Sequence, residues 1–158
     1  MSNEFDIIQR LVVNESLRLK PYRCTEGKLT IGVGRCVDTN PLTDEEVCYI
    51  GHNCREKSIT EEQAIYLLKH DVEGVKNNLD KRLPWWRKLD EERQYVLIDM
   101  CFQLGINGLL KFKNMLAAMA SGDFEKASKE CLNSAYAKQT PARAERIARL
   151  IKTGEWKI

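Results

Sequence analysis

No stretch of the 158-residue chain approaches the ~20 consecutive apolar residues that a membrane-spanning helix needs. The longest charge-free run, Met100 to Leu110, is interrupted by Gln103, Asn107 and two glycines. The N-terminus carries Glu4 and Asp6 where a secretory leader would be apolar, so synthesis in the cytosol without a signal peptide is expected. Charge of one sign is lacking as well. Against 25 Lys and Arg stand 23 Asp and Glu, and a net charge of +2 gives nucleic acid binding no footing. Cys-x-x-Cys is absent, which removes thioredoxin-like and zinc-ribbon readings. Gly32-Val-Gly34 is not a nucleotide loop, because Val37 stands where the third glycine belongs. Repeats and low-complexity segments are missing too.

What is present describes an ordinary globular chain. Hydrophobic residues make up 43% and charged residues 30%. A chain of this length buries about 70% of its unfolded surface and needs no staples. Six cysteines allow a disulfide framework, yet the expected cytosolic origin and sufficient size argue against one. Cys36, Cys48, His52 and Cys54 have no usual zinc spacing, and metal binding or a disulfide there stays open. Cys101 and Cys131 accompany helical apolar stripes and read as small buried hydrophobes.

Helical periodicity over 3–14 (Phe5, Ile8, Leu11, Val12) predicts a first helix capped by Asn3, with Glu15 at or just past its end. From 16 to 34 the period shortens. Leu17 and Leu19 alternate with charges until Pro21 interrupts, and Thr25-Glu26-Gly27 is turn chemistry. Residues 28–34 read as a half-buried strand, with Leu29, Ile31 and Val33 on one face and Thr30 on the other. A short helix is possible at 43–49. Thr60 and Gln63 form a capping box for a helix of about 22 residues, whose stripe is Ala64, Leu67, Leu68, Val72, Val75 and Leu79. Helices follow at 91–104, 107–112, 114–121, 124–134 and 141–153. The expected organisation is an N-terminal lobe (1–59), a connecting helix (60–82) and an all-helical lobe (83–158).

Glu15, Cys24 and Thr30 are the candidates for chemistry. The negative end of a helix disfavours an ionised carboxylate, as a general acid requires. The turn after Pro21 can fold Cys24 back toward Glu15, and Thr30 then faces the same groove if Leu29, Ile31 and Val33 face the core. The run from Glu15 to Gly34 resembles the catalytic signature of the T-even type phage lysozymes: Glu, eight residues, Asp or Cys, five residues, Thr. Asp71-Val72, Phe102-Gln103-Leu104-Gly105, Gln139-Thr140-Pro141-Ala142-Arg143 and Gly154-Glu155-Trp156 follow in that family's order.

The resemblance implies an α+β, lysozyme-like, mostly helical fold. It also implies hydrolysis of the β-1,4 bond between N-acetylmuramic acid and N-acetylglucosamine in peptidoglycan, with no cofactor and no metal. By it Glu15 is the general acid, Thr30 helps hold the attacking water, Arg143 pairs with the catalytic Glu, and Phe102 and Gln103 touch sugar. Cys24 replaces the Asp of the best-known members. It leaves open a base in an inverting reaction or a nucleophile in a retaining one, its thiol tuned down by Arg18, Lys20 or Arg23 and up by Glu15. A caging disulfide with Cys36 or another thiol is a further possibility. Arg35 stands where relatives carry His. The expected protein is a monomer that binds peptidoglycan, neither binds nucleic acid nor inserts stably in a membrane, and passes from the host cytoplasm to the wall after a holin permeabilises the membrane. The competing readings are a cysteine-dependent amidase or peptidase using Cys24 with His52 or His70, and a non-catalytic glycan-binding module. Trp85 and Trp86 either stack on sugars or fill the lobe junction. Arg146, Arg149 and Lys152 either form a solvated face or attract anionic envelope surfaces.

Overall fold

Glu4–Glu15 forms α1 in the computed structural model, which describes residues 4–155. The cap at Asn3, the side chain of Phe5 and Trp156 lie outside the described residues. Ile7, Ile8 and Leu11 are the buried positions of α1. Ser16 adopts φ 65° and donates its N–H to the Val12 carbonyl, closing the helix directly after Glu15.

A three-stranded antiparallel sheet follows: β1 (Arg18–Arg23), β2 (Leu29–Gly32) and β3 (Arg35–Cys36), in that spatial order. Pro21 does not end β1. The strand continues through a register irregularity between Arg18 and Tyr22, and β1 is an edge strand of the sheet, where a missing N–H is tolerated. β2 is shorter than the strand expected over 28–34. Gly32 and Gly34 take φ 68° and 72°, a left-handed geometry that turns the chain into β3. The strand is also not half-buried: all four of its residues are buried, Thr30 included. A Cβ built on Gly32 would meet Ala64 Cβ at 3.6 Å, so the end of the strand packs closely on the core that Ala64 shares with Leu29 and Ile31.

Thr43 and Glu46 form a capping box for α2 (Asp44–Ile50), ended by Gly51 at φ 96°. The Thr60–Gln63 box is formed reciprocally, each backbone N–H donating to the other's side chain, and starts α3 (Glu61–Arg82). Every residue of its expected apolar stripe is buried. The chain divides into two compact units at Glu73/Gly74, within α3. The core of the first unit joins Leu29, Ile31, Val37, Ile50, Cys54, Ile59, Ala64 and Leu67.

The second unit is helical: a short 3-10 turn at Trp86–Lys88, then α4 (Glu91–Leu110), α5 (Lys113–Ser121), α6 (Phe124–Leu132), α7 (Ala135–Gln139) and α8 (Pro141–Thr153). Gly105, at φ 76° and ψ 162°, breaks α4 where the sequence predicts a helix end. The five-residue α7, capped by Ser134, was not expected. Trp86 is fully buried, its indole N–H donating to Asp80 at 2.7 Å, so it does not serve as a sugar platform. Arg93 donates to the Ile151 and Lys152 carbonyls and stacks on Phe124, tying α4 to the end of α8. Together the elements make an α+β fold with a minor sheet. Among the described residues no single helix is long and apolar enough to cross a membrane.

Candidate active site

The turn between β1 and β2 makes Cys24 what it is. Gly27, at φ 77°, donates its N–H to the Cys24 carbonyl at 2.8 Å, and the Cys24 N–H reaches the Lys28 carbonyl at 2.9 Å. This tight closure points the N–H groups of Lys28 and then Glu26 at the Cys24 sulfur. Those two amides, aided by the Thr30 hydroxyl, hold the thiol below its usual range, while partial burial and the charge of Glu26 oppose them. From the sequence, Arg18, Lys20 or Arg23 is expected in that role. The structure assigns it to backbone amides: the turn directs its N–H groups at the sulfur, while Arg18 stacks on Tyr22 and Arg23 is engaged by the Gly27 carbonyl and Asp38.

Thr30 lies on the middle strand, opposite Tyr22 on β1 and Cys36 on β3. Residues directly opposite share a face, so Tyr22, Thr30 and Cys36 form one row, with Cys24 two residues beyond Tyr22 on the same side. The Thr30 hydroxyl donates to the Lys28 carbonyl at 3.1 Å and is also within bonding reach of the Cys24 sulfur. A hydroxyl has one proton and two lone pairs. It donates to Lys28 when the sulfur is protonated and can turn to the sulfur when it is ionised. Thr30 is only 4% exposed, which corrects the expectation of an open groove wall.

Glu15 enters this surrounding from the end of α1. Its carboxylate and the Cys24 sulfur both act on the Tyr22 phenol, which burial raises first, the Arg18 guanidinium lowers, and these two charges raise further. Arg18 sits 4.1 Å over the Tyr22 ring. Tyr22 therefore joins the acid and the thiol in one electrostatic neighbourhood. Tyr22 is not among the residues expected from the sequence, although its place two residues before Cys24 on a strand is the available signal.

Arg35, at the position where His was expected by resemblance, is buried and surrounded by acceptors. It donates to Glu46 at 2.8 and 3.2 Å, to Asp71 at 3.0 Å, and to the carbonyls of Asn40 and Pro41. His70 Nδ1 lies 2.7 Å from Glu46 Oε2, the oxygen that also accepts from Arg35 Nη1. Burial pushes Glu46 up, but Arg35, the Thr43 N–H and His70 together bring it down to about 2. Asp71 shares the one guanidinium, and burial with the Glu46 charge leaves it raised to about 6.

The remaining candidates sit in the helical unit. Arg143 donates to the fully buried Asp99 at 2.9 and 3.1 Å, and Tyr95 donates to the other Asp99 oxygen at 2.8 Å. Phe102 and Gln103 are half-buried in the turn of α4 that precedes Gly105. Gln103 Oε1 is buried with no hydrogen-bond donor, an acceptor left open.

All six cysteines are free. Cys24 directly follows β1 and Cys36 ends β3, the two outer strands with β2 between them, a separation of about 9–10 Å at the usual strand spacing and beyond disulfide reach. Cys101 and Cys131 are buried and their thiols pushed up to about 11. Among the described residues no group of three or more His, Cys, Asp or Glu side chains is placed to hold a metal ion, and Cys36, Cys48, His52 and Cys54 form no such cluster. His52 is bonded to the Ser58 carbonyl and the Cys54 N–H, and His70 to Glu46. Neither histidine acts on Cys24.

Comparison with known proteins agrees with this geometry. The profile of the phage lysozyme family matches residues 13–149. Two probable T4-type lysozymes of Dictyostelium discoideum are 30% and 28% identical, and the matches cover 91% and 93% of this chain and 92% and 94% of theirs. The pre-baseplate central spike protein Gp5 of Enterobacteria phage T4 is 36% identical over 89% of the chain, which spans 26% of that longer protein.

Proposed function

The chain belongs to the phage lysozyme family, and from that premise we propose that it is a muramidase, cutting the β-1,4 bond between N-acetylmuramic acid and N-acetylglucosamine in peptidoglycan. The observation that carries the reading is the turn-stabilised Cys24 sulfur within reach of the Thr30 hydroxyl, in one electrostatic neighbourhood with Glu15. Glu15 gives its proton to the glycosidic oxygen as the bond to the sugar breaks. Cys24 then completes the reaction by one of two balanced routes. As a base it takes a proton from a water held by Thr30, and hydroxide adds to the anomeric carbon with inversion. As a nucleophile its thiolate forms a thioglycoside, and water displaces it with retention.

Arg143, held in place by Asp99, supports the general acid. Phe102 and Gln103 contact sugar, and the open Gln103 acceptor suits an acetamido N–H or a hydroxyl. Peptidoglycan is the partner, met after a holin opens the inner membrane, with the enzyme acting as a monomer. The kinship to a spike protein supports a second reading, in which the same catalytic unit is delivered as part of a larger assembly.

Digestion of purified sacculi tests the function. New reducing ends are expected, with none from Glu15→Gln and few from Cys24→Ala. New amines without reducing ends would replace the glycosidase by an amidase or peptidase. Binding without either product would leave a glycan-binding module. The anomer of the first product distinguishes the two routes.

A further inference from the structure

The first unit carries a second concavity that the proposed chemistry does not use. It measures about 920 Å³ and lies between the end of α2 and the outward face of α3. None of its lining residues belongs to the hairpin of Cys24 and Thr30. Its floor is aromatic. Tyr49 stacks on Tyr66 with centroids 4.2 Å apart, and Tyr66 meets the His70 ring at 4.3 Å. His70 is in turn fixed by the buried Glu46, and Glu46 by Arg35. The stack thus stands on the most buried ionic network of the unit, and the cost of ordering these rings is met before anything binds.

Tyr49 nevertheless remains 54% exposed. Around it stand the Thr60 hydroxyl, the Glu61 and Glu62 carboxylates and the Lys69 ammonium. The helix period explains the arrangement. Ala64 and Leu67 face the core, which turns Glu62 and Lys69 outward and leaves Tyr66 at the border, partly buried against that core.

A flat ring beside hydrogen-bonding groups of both signs suits a ligand with one apolar face and a polar rim. A pyranose has that shape: its axial C–H bonds pack on a ring and its hydroxyls require carboxylate and ammonium partners. Phosphate polymers are disfavoured by the Glu61 and Glu62 carboxylates in the first turn of α3. A protein partner is disfavoured by the small apolar surface, which Tyr49, Tyr66 and Ile65 alone supply.

We propose that this aromatic shelf is a second carbohydrate-binding site, taking a short run of N-acetylhexosamines without cleaving it. On the muramidase reading, its occupant is another stretch of the same glycan polymer. Holding a remote segment raises the local concentration of bonds at the catalytic hairpin.

Titration of the ¹⁵N-labelled protein with the N-acetylglucosamine tetramer tests the site. Amide shifts are expected at Tyr49, Glu62, Tyr66 and Lys69, lost in Tyr49→Ala and restored in Tyr49→Trp. Tyr49→Ala should also raise KM for sacculi by about three- to tenfold, with kcat on soluble oligosaccharide unchanged. Tyr49 is exposed, so its removal leaves the core intact. Absence of shifts at those amides, or shifts that persist in Tyr49→Ala, would overturn the proposal. Shifts at the shelf without reducing ends from sacculi would remove the muramidase reading and leave this one. Reducing ends without shifts at the shelf would do the reverse.

Discussion

Replacing Arg35 by Met should be among the most damaging single changes in the first unit. Arg35 and Glu46 are 4% and 1% exposed, and the guanidinium serves two carboxylates and two carbonyls. Removing it leaves Glu46 with His70 and the Thr43 N–H alone, and Asp71 with Asn40. Breaking a buried pair from one side costs about 3–5 kcal/mol, because the remaining charge is stranded in a medium that solvates it poorly. In a chain of this size that corresponds to a fall in Tm of roughly 6–20 °C. The pH dependence gives a second, sharper signature. Without Arg35, both carboxyls fold more easily protonated than ionised, so their folded pKa values rise above the unfolded ones. The variant's stability should then fall as pH rises from 5 to 7, and its deficit against wild type should be smaller at pH 5. Urea unfolding at the two pH values, followed by tryptophan fluorescence, measures both effects. Arg35→Met with Glu46→Gln should recover part of the loss, since it removes one of the stranded charges. A deficit below about 1 kcal/mol, equal at pH 5 and 7, would refute the reasoning and place this network with surface ion pairs.

Asp71→Asn separates the second carboxyl. The Asp71 pKa is raised to about 6 in the fold from an ordinary 3.8, so wild type loses this contribution to stability as pH rises from about 4 to 6; that slope should vanish in the variant's urea midpoints. Thiol alkylation followed by mass spectrometry should modify Cys24 at a lower pH than any buried thiol, and leave Cys101 and Cys131 untouched until unfolding. Thr30→Val should raise the pH at which Cys24 reacts, since it removes a donor to the thiolate, and an unchanged profile would take Thr30 out of that role. Gly32→Ala should destabilise by about 1–2 kcal/mol in thermal melts, through left-handed strain at φ 68°.

Much of this protein is written in local signals. The Thr60–Gln63 box, the stripe from Ala64 to Leu79, the glycine break at 105 and the end of α1 beside Glu15 all follow from periodicity and capping, which act over a few residues. The Glu15–Cys24–Thr30 spacing was legible for the same reason: one short hairpin carries two of the three groups. What the sequence could not disclose depended on parts of the chain meeting from afar. That all four residues of β2 are buried depends on packing from afar, with Ala64 arriving on Gly32. The buried cluster of Arg35, Glu46, His70 and Asp71 draws on positions up to 36 residues apart, and no pattern in the chain announces that a charged residue will be enclosed by its partners. The tuning of Cys24 by turn amides, in place of the cations nearby in sequence, was likewise decided in three dimensions. Composition tells which charges are near along the chain; only the folded backbone fixes which dipoles point at the sulfur.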